Sequence, residues 1–124
     1  MIRGGQSLIR RRRYSGADPQ SASFEAADGE RSRVVGSLHF TTVSALLSAG
    51  VAAINEGRAA VIDLASVTGS DSSGLALLIE WLSVAKAAGR ALRFENIPSQ
   101  LKQLARLSEV EELLEPPATP PVPP

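Results

Sequence analysis

The segment from Ala59 to Ala88 restricts what this chain can fold into more than any other. Ala59-Ala-Val-Ile-Asp-Leu64 is a short apolar run that reads as a buried strand. Val67-Thr-Gly-Ser-Asp-Ser-Ser-Gly74 then crowds small polar residues together, and Leu75 to Ala88 is strongly apolar and poor in β-branched residues. That change marks a helix entry: Asp71, Ser72 or Ser73 can cap the orphan N–H groups, and leucine and alanine propagate the helix. Strand, hydroxyl-rich turn and helix together place serine hydroxyls at the positive end of a helix, where a phosphate or a partner's carboxylate is favoured.

The remaining elements follow from local signals. Phe24–Ala26 and Arg31–Val35 flank Asp28-Gly29, a tight-turn pair, and predict a hairpin whose second strand ends at Gly36. Residues 37–42 form a loop leading to a cap at Thr41 or Thr42. Val43, Leu46, Leu47, Val51 and Ile54 recur at helical spacing up to Asn55, with Gly50 a mild weakness and Gly57 placed to end the helix. After the central segment, Gly89 stops the second helix and Arg90 lies just past it. Ala91–Glu95 alternates as a strand, Asn96–Ser99 turns, and Leu101, Leu104, Ala105 and Leu107 predict a short amphipathic helix. Leu113 and Leu114 complete the fold. The order β-β-α-β-α-β-α implies an α/β domain, a small mixed β-sheet with helices packed on it.

The helix after Ser72 carries two apolar stripes. Leu75, Leu78, Ile79, Leu82 and Ala85 form one; Leu77, Trp81, Val84 and Ala88 form the other. Only the line through Ser73, Ala76, Glu80, Ser83 and Ala87 is more polar. A helix on a small sheet needs one stripe, so two mean either burial on both sides or a second, exposed face that binds something, and the second face is where a partner is expected.

At 124 residues the chain accommodates one domain with tails. Residues 1–20, with Arg3 and Arg10–Arg13, read as a disordered Arg-rich arm, residues 21–115 as the domain, and residues 116–124 as a Pro-rich tail. Basic and acidic residues balance at 13 each, so overall charge points to neither nucleic acid nor anionic membrane. Beside Arg10–Arg13 the only stacking aromatic is Tyr14, which leaves no platform for direct nucleic-acid binding. The absence of cysteine excludes disulfides and thiol chemistry and fits a cytoplasmic protein. No apolar run approaches the ~20 residues that span a bilayer.

Motifs of enzymes are missing. Gly69-Ser-Asp-Ser-Ser-Gly74 is not G-x-S-x-G, since Asp71 stands at the nucleophile position, and there is no phosphate-cradling glycine loop. His39 is the only histidine, and no carboxylates cluster for a metal. A triad of His39, Asp63 and Ser72 has no support in spacing. No catalytic residue, metal or cofactor is expected, and a small serine hydrolase is the distant alternative.

Gly36-x-Leu38-x-Phe40, the strand Val61-Ile-Asp-Leu64 and above all Asp71-Ser-Ser-Gly-Leu-Ala-Leu-Leu78 resemble the STAS domain, shared by anti-sigma factor antagonists and transporter-associated regulators. Gly74-Leu-Ala-Leu-Leu78, Ala85-Lys86, Gly89 and Leu104-Ala-Arg-Leu107 are similar to the small STAS subunit of the Mla phospholipid-transport ATPase. The resemblance covers the predicted domain and neither tail. It implies a non-catalytic regulatory subunit that docks on a cytoplasmic ABC-type ATPase in intermembrane phospholipid transport, reaching the inner membrane only through that partner. Ser72 matches a threonine that contributes to ATPase binding in the lipid-transport subunit, and the serine or threonine phosphorylated by the partner kinase in anti-sigma antagonists. Asp71, Ser72, Ser73 and Gly74 are then the docking corner, with Leu77 and Trp81 as apolar anchors. The alternative is an anti-sigma factor antagonist switched by phosphorylation of Ser72, with an anti-sigma factor kinase as partner. Against it, antagonists commonly carry Glu-Leu-Asp where this chain has Ser37-Leu38-His39.

Overall fold

The computed structural model describes residues 21–114. The arm of residues 1–20, the Pro-rich tail and Glu115 lie outside them. Strands β1 (Ala22–Ala26) and β2 (Arg31–Leu38) form the expected hairpin, closed through Gly29 at φ 62°. Helix α1 (Val43–Asn55) crosses back to β3 (Val61–Ser70), which runs parallel to β2. Helix α2 (Ser72–Ala87) leads to β4 (Arg93–Glu95), parallel to β3. Helices α3 (Ser99–Leu107) and α4 (Glu111–Leu114) finish the described chain. The sheet order is β1-β2-β3-β4.

Alternation along the strands decides which face is buried. Val34, Ile62, Leu64 and Phe94 join Leu46, Ile54, Leu78, Trp81 and Leu101 in one core. The other face carries ion pairs: Glu25 opposite Arg33 in register at 3.0 Å, and Glu95 held by Arg93 at 2.9 Å and by Arg31. Such exposed pairs are worth little in stability, but they keep an otherwise open sheet face solvated.

Glycines close the helices as expected, Gly57 at φ 77° and Gly89 at φ 69°. Beyond Gly89, Arg90 donates to the Asn55 carbonyl at 3.1 Å, which sets a cation on the negative end of α1.

Several expectations need correction. Strand β2 does not stop at Gly36 but continues to Leu38, because Ser37 and Leu38 pair with Gly69 and Ser70 of β3. For the same reason Val67–Ser70 is strand rather than turn; the parallel neighbour supplies ladder partners that local propensity does not advertise. The fourth strand is shorter than Ala91–Glu95. Of the leucines that end the described chain, Leu114 joins the core, while Leu107 is 81% exposed and Leu113 54%.

The largest correction concerns α2. Both of its apolar stripes are covered: Leu77 is 4% exposed and Trp81 is 0% exposed. The second stripe packs on α1, where the indole lies against Gly50 so closely that a Cβ there would overlap the ring. Gly50 is therefore the notch that lets the two helices meet, not a mere weakness in α1.

Candidate functional site: a corner at the carboxyl ends of β2 and β3

Leu38 and Ser70 are register partners at the carboxyl ends of neighbouring parallel strands. The loop into α1 and the turn into α2 therefore leave the sheet side by side. Ligands and partners of open α/β sheets are commonly met at this edge.

The turn is a single residue. Asp71 has extended φ and ψ of −112° and −167°, and its N–H is held by the Leu38 carbonyl at 3.0 Å. Its Oδ1 accepts from the Ser73 N–H at 2.8 Å, satisfying one orphan donor of α2. Oδ2 lies 3.7 Å from His39 Nδ1. Thr42 fixes the other loop: its hydroxyl accepts from the His39 N–H at 2.9 Å and donates to the Ser37 carbonyl at 2.9 Å. Thr42 is thus the N-cap residue of α1 by position, but its side chain locks the preceding loop and makes no capping bond to the helix. Behind the corner the Ser37 and Thr68 hydroxyls pair at 3.1 Å, and the Gln100 side chain accepts from the Ser70 N–H at 3.2 Å.

Partial burial opposes ionisation of Asp71 and is the largest single influence on it. The backbone and hydroxyl of Ser73, the Phe40 N–H and nearby His39 together outweigh that influence and hold the carboxyl below its ordinary value of 3.8. A lowered folded value means that ionised Asp71 stabilises the fold fully above the ordinary carboxylate range. That contribution is lost as pH falls through the lower, folded value. Replacing Asp71 with alanine is expected to cost about 1 kcal/mol at neutral pH, the worth of an N-cap. Urea midpoints of wild type and Asp71→Ala at pH 7 measure that cost. Asp71→Asn, which keeps a capping oxygen, isolates the charge; its midpoint should differ from wild type at pH 7 and converge with it under strong acid.

Around this frame the predicted residues separate. Ser72, the first residue of α2, is exposed, Ser73 is half-buried, and the Asp71 side chain is 47% exposed, so these three face outward together. Gly74 is buried against Ser70 and Leu38, where a Cβ would overlap the Ser70 hydroxyl, so its role is to let the helix seat on the strand ends. Trp81 is wholly buried and cannot serve as the docking anchor expected of it, while Leu77, 4% exposed, belongs to the core and offers only a sliver of its surface to the groove between α1 and α2. Asp63 is bonded to the Ala65 N–H at 2.9 Å and to Asn96 at 3.0 Å. It sits seven positions before Ser70, about 20 Å along the strand, so His39, Asp63 and Ser72 do not assemble.

What the sequence did not single out is the apolar surface beside the corner. Phe40 is 77% exposed at the entrance to α1. Next to it an open groove of about 340 Å³ runs between α1 and α2, lined by Val43, Ser44, Leu47, Ser73, Ala76, Leu77 and Glu80. Ser73, Ala76 and Glu80 are the line on α2 that stood out as comparatively polar, and it is this line, not the second stripe, that reaches the surface. Among the described residues no helix is long and apolar enough to cross a membrane, and no group of histidines and carboxylates is arranged to hold a metal.

A mixed sheet with helices on one face and a strand-to-helix corner at Asp71-Ser72 defines a STAS-type domain. A family model described as "Mlab, STAS domain" matches residues 25–115, and the chain belongs to that STAS family. Among solved structures it is similar to the phosphorylated form of SpoIIAA, a Bacillus cell fate determinant. That match has a TM-score of 0.57 and 18% identity over 74% of this chain and 86% of the other. The unphosphorylated anti-sigma factor antagonist SpoIIAA gives a TM-score of 0.55 and 18% identity, over 69% and 82%. At that identity the shared property is the fold. No curated protein sequence matches.

Proposed function

We propose that the chain is a non-catalytic regulatory subunit that docks on a cytoplasmic ABC-type ATPase serving intermembrane phospholipid transport, and meets the inner membrane only through that partner. The observation that carries the reading is the exposed Ser72 corner beside an apolar groove, in a chain matched by the Mlab STAS model. Asp71 orients the corner, while Ser72 and Ser73 present hydroxyls at the start of α2. Phe40 supplies the large exposed apolar contact that buried Trp81 cannot.

Titration of the purified ATPase subunit onto the full chain tests this. Ser72→Glu puts a carboxylate where the helix dipole tolerates it, so the fold should be kept. The added charge must still be desolvated against the partner, and affinity is expected to fall at least about tenfold, or roughly 1.4 kcal/mol. Unchanged affinity in both Ser72→Glu and Phe40→Ala would remove the corner from the interface.

A second reading, an anti-sigma factor antagonist switched by a partner kinase, draws on the exposed hydroxyl of Ser72 at a helix N-terminus, a place suited to a phosphoryl group. Ser37 and His39 stand where antagonists carry carboxylates, which favours the docking reading. Incubation with a partner kinase and ATP discriminates: a single phosphoryl group, mapped to Ser72 by mass spectrometry, is the antagonist's signature.

A further inference from the structure

We propose that the groove between α1 and α2 receives a partner segment carrying apolar side chains and one lysine or arginine, and that Glu80 is the residue that selects for this cation. The inference rests on the docking reading above and names the chemistry of what docks.

Glu80 is the only charged residue lining the groove, whose other walls are Val43, Ser44, Leu47, Ala76 and Leu77 together with Ser73. Helix α1 contains no charged residue along its whole length. On α2 the neighbours of Glu80 at helical spacing are Ala76, Leu77, Ser83 and Val84, so no cation of its own helix lies beside it. Lys86, the basic residue of the last turn, is off that spacing. Elsewhere on the molecule Glu25, Glu56, Glu95 and Glu111 each hold an arginine, whereas Glu80, like Glu30, Glu109 and Glu112, has no such partner among the described residues, and of these four only Glu80 lines the groove.

Covering the groove with a purely apolar surface would strip water from this carboxylate with nothing in exchange, a cost that rises with the depth of burial. A basic side chain removes that cost and fixes the register of the docked segment, as complementary charges at interfaces do. The apolar walls and Glu80 then give the segment an apolar and a charged point of attachment.

The full chain and the purified ATPase subunit provide the test. Glu80→Arg, an exposed substitution that leaves the core alone, should weaken binding about tenfold or more, and Glu80→Gln less, with a reduced dependence on salt. A photo-crosslinking residue at Ser44 should capture a partner peptide containing lysine or arginine. Changing that residue to glutamate should abolish binding to the wild-type chain and restore binding to Glu80→Arg. If Ser72→Glu disrupts binding but Glu80→Arg and Glu80→Gln leave it unchanged, the docking reading stands and this inference falls. If none of the three has an effect, both fall. Crosslinking to a second copy, to residues 1–20 of this chain, or to a partner peptide without a basic residue also overturns the assignment.

Discussion

Replacing Trp81 with alanine is expected to destabilise the domain by about 3–5 kcal/mol, the range for emptying a large aromatic site in a core. The indole is fully buried, donates its Nε1–H to the Leu47 carbonyl at 3.3 Å, and meets Phe24 edge to face with ring centroids 5.6 Å apart. It thereby joins α2 to α1 and to the hairpin strand β1. Because Trp81 is the only tryptophan, the loss should be followed by far-UV circular dichroism in urea rather than by fluorescence. Trp81→Phe should cost less, since it keeps most of the contact and gives up mainly the bond to Leu47. A Trp81→Ala cost under about 1 kcal/mol, the level of a surface substitution, would mean that the second stripe of α2 is not a core face.

That result bears directly on what was legible in the sequence. The periodicity of α2 identified every apolar position, but periodicity cannot tell an exposed stripe from one covered by a neighbouring helix. The sign that settles it was present in α1 rather than in α2: a glycine on an apolar helix face, Gly50, marks where another element comes close. A cap among Asp71, Ser72 and Ser73 follows from side-chain chemistry alone; the structure selects Asp71 and leaves Ser72 as the exposed first residue of the helix. The ends of β2 and β3 were not legible, because Gly36-Ser37 interrupts β2 before Leu38 and Thr68-Gly-Ser70 ends β3 in small polar residues, and these become strand only through each other. The groove was hidden for a related reason. Its walls come from two helices, and the polar line through Ser73, Ala76 and Glu80 acquires meaning only once Val43 and Leu47 stand opposite. Sequence spacing shows what a single element offers; the site lies between two.

Gly36→Ala is expected to be nearly as damaging as the loss of Trp81, for a backbone reason. Gly36 has φ 106°, a conformation that a residue with a side chain adopts only under strain of about 1–3 kcal/mol. A Cβ there would also overlap the Ser21 carbonyl oxygen and the Ala22 Cα, backbone atoms that cannot rotate aside. Those atoms belong to the start of β1, where Ala22 pairs with Gly36 and the Ser37 N–H donates to the Ser21 carbonyl at 3.0 Å. Alanine would therefore pry β1 from β2 at the end of the sheet that carries the corner. Gly29 is the natural control: its φ is also positive, at 62°, yet a Cβ there has nothing within 4 Å. Gly29→Ala should show the conformational penalty alone, and Gly36→Ala that penalty together with the clash. Urea midpoints of the two variants should differ clearly, and the Ser37 amide should lose protection from hydrogen exchange only in Gly36→Ala. The Ser37 carbonyl anchors Thr42, and Leu38 holds Asp71, so the same variant should also loosen partner binding without touching a contact residue. Equal costs for the two alanines would show instead that the close approach of β1 contributes nothing, and that β2, β3 and α3 hold the corner without it.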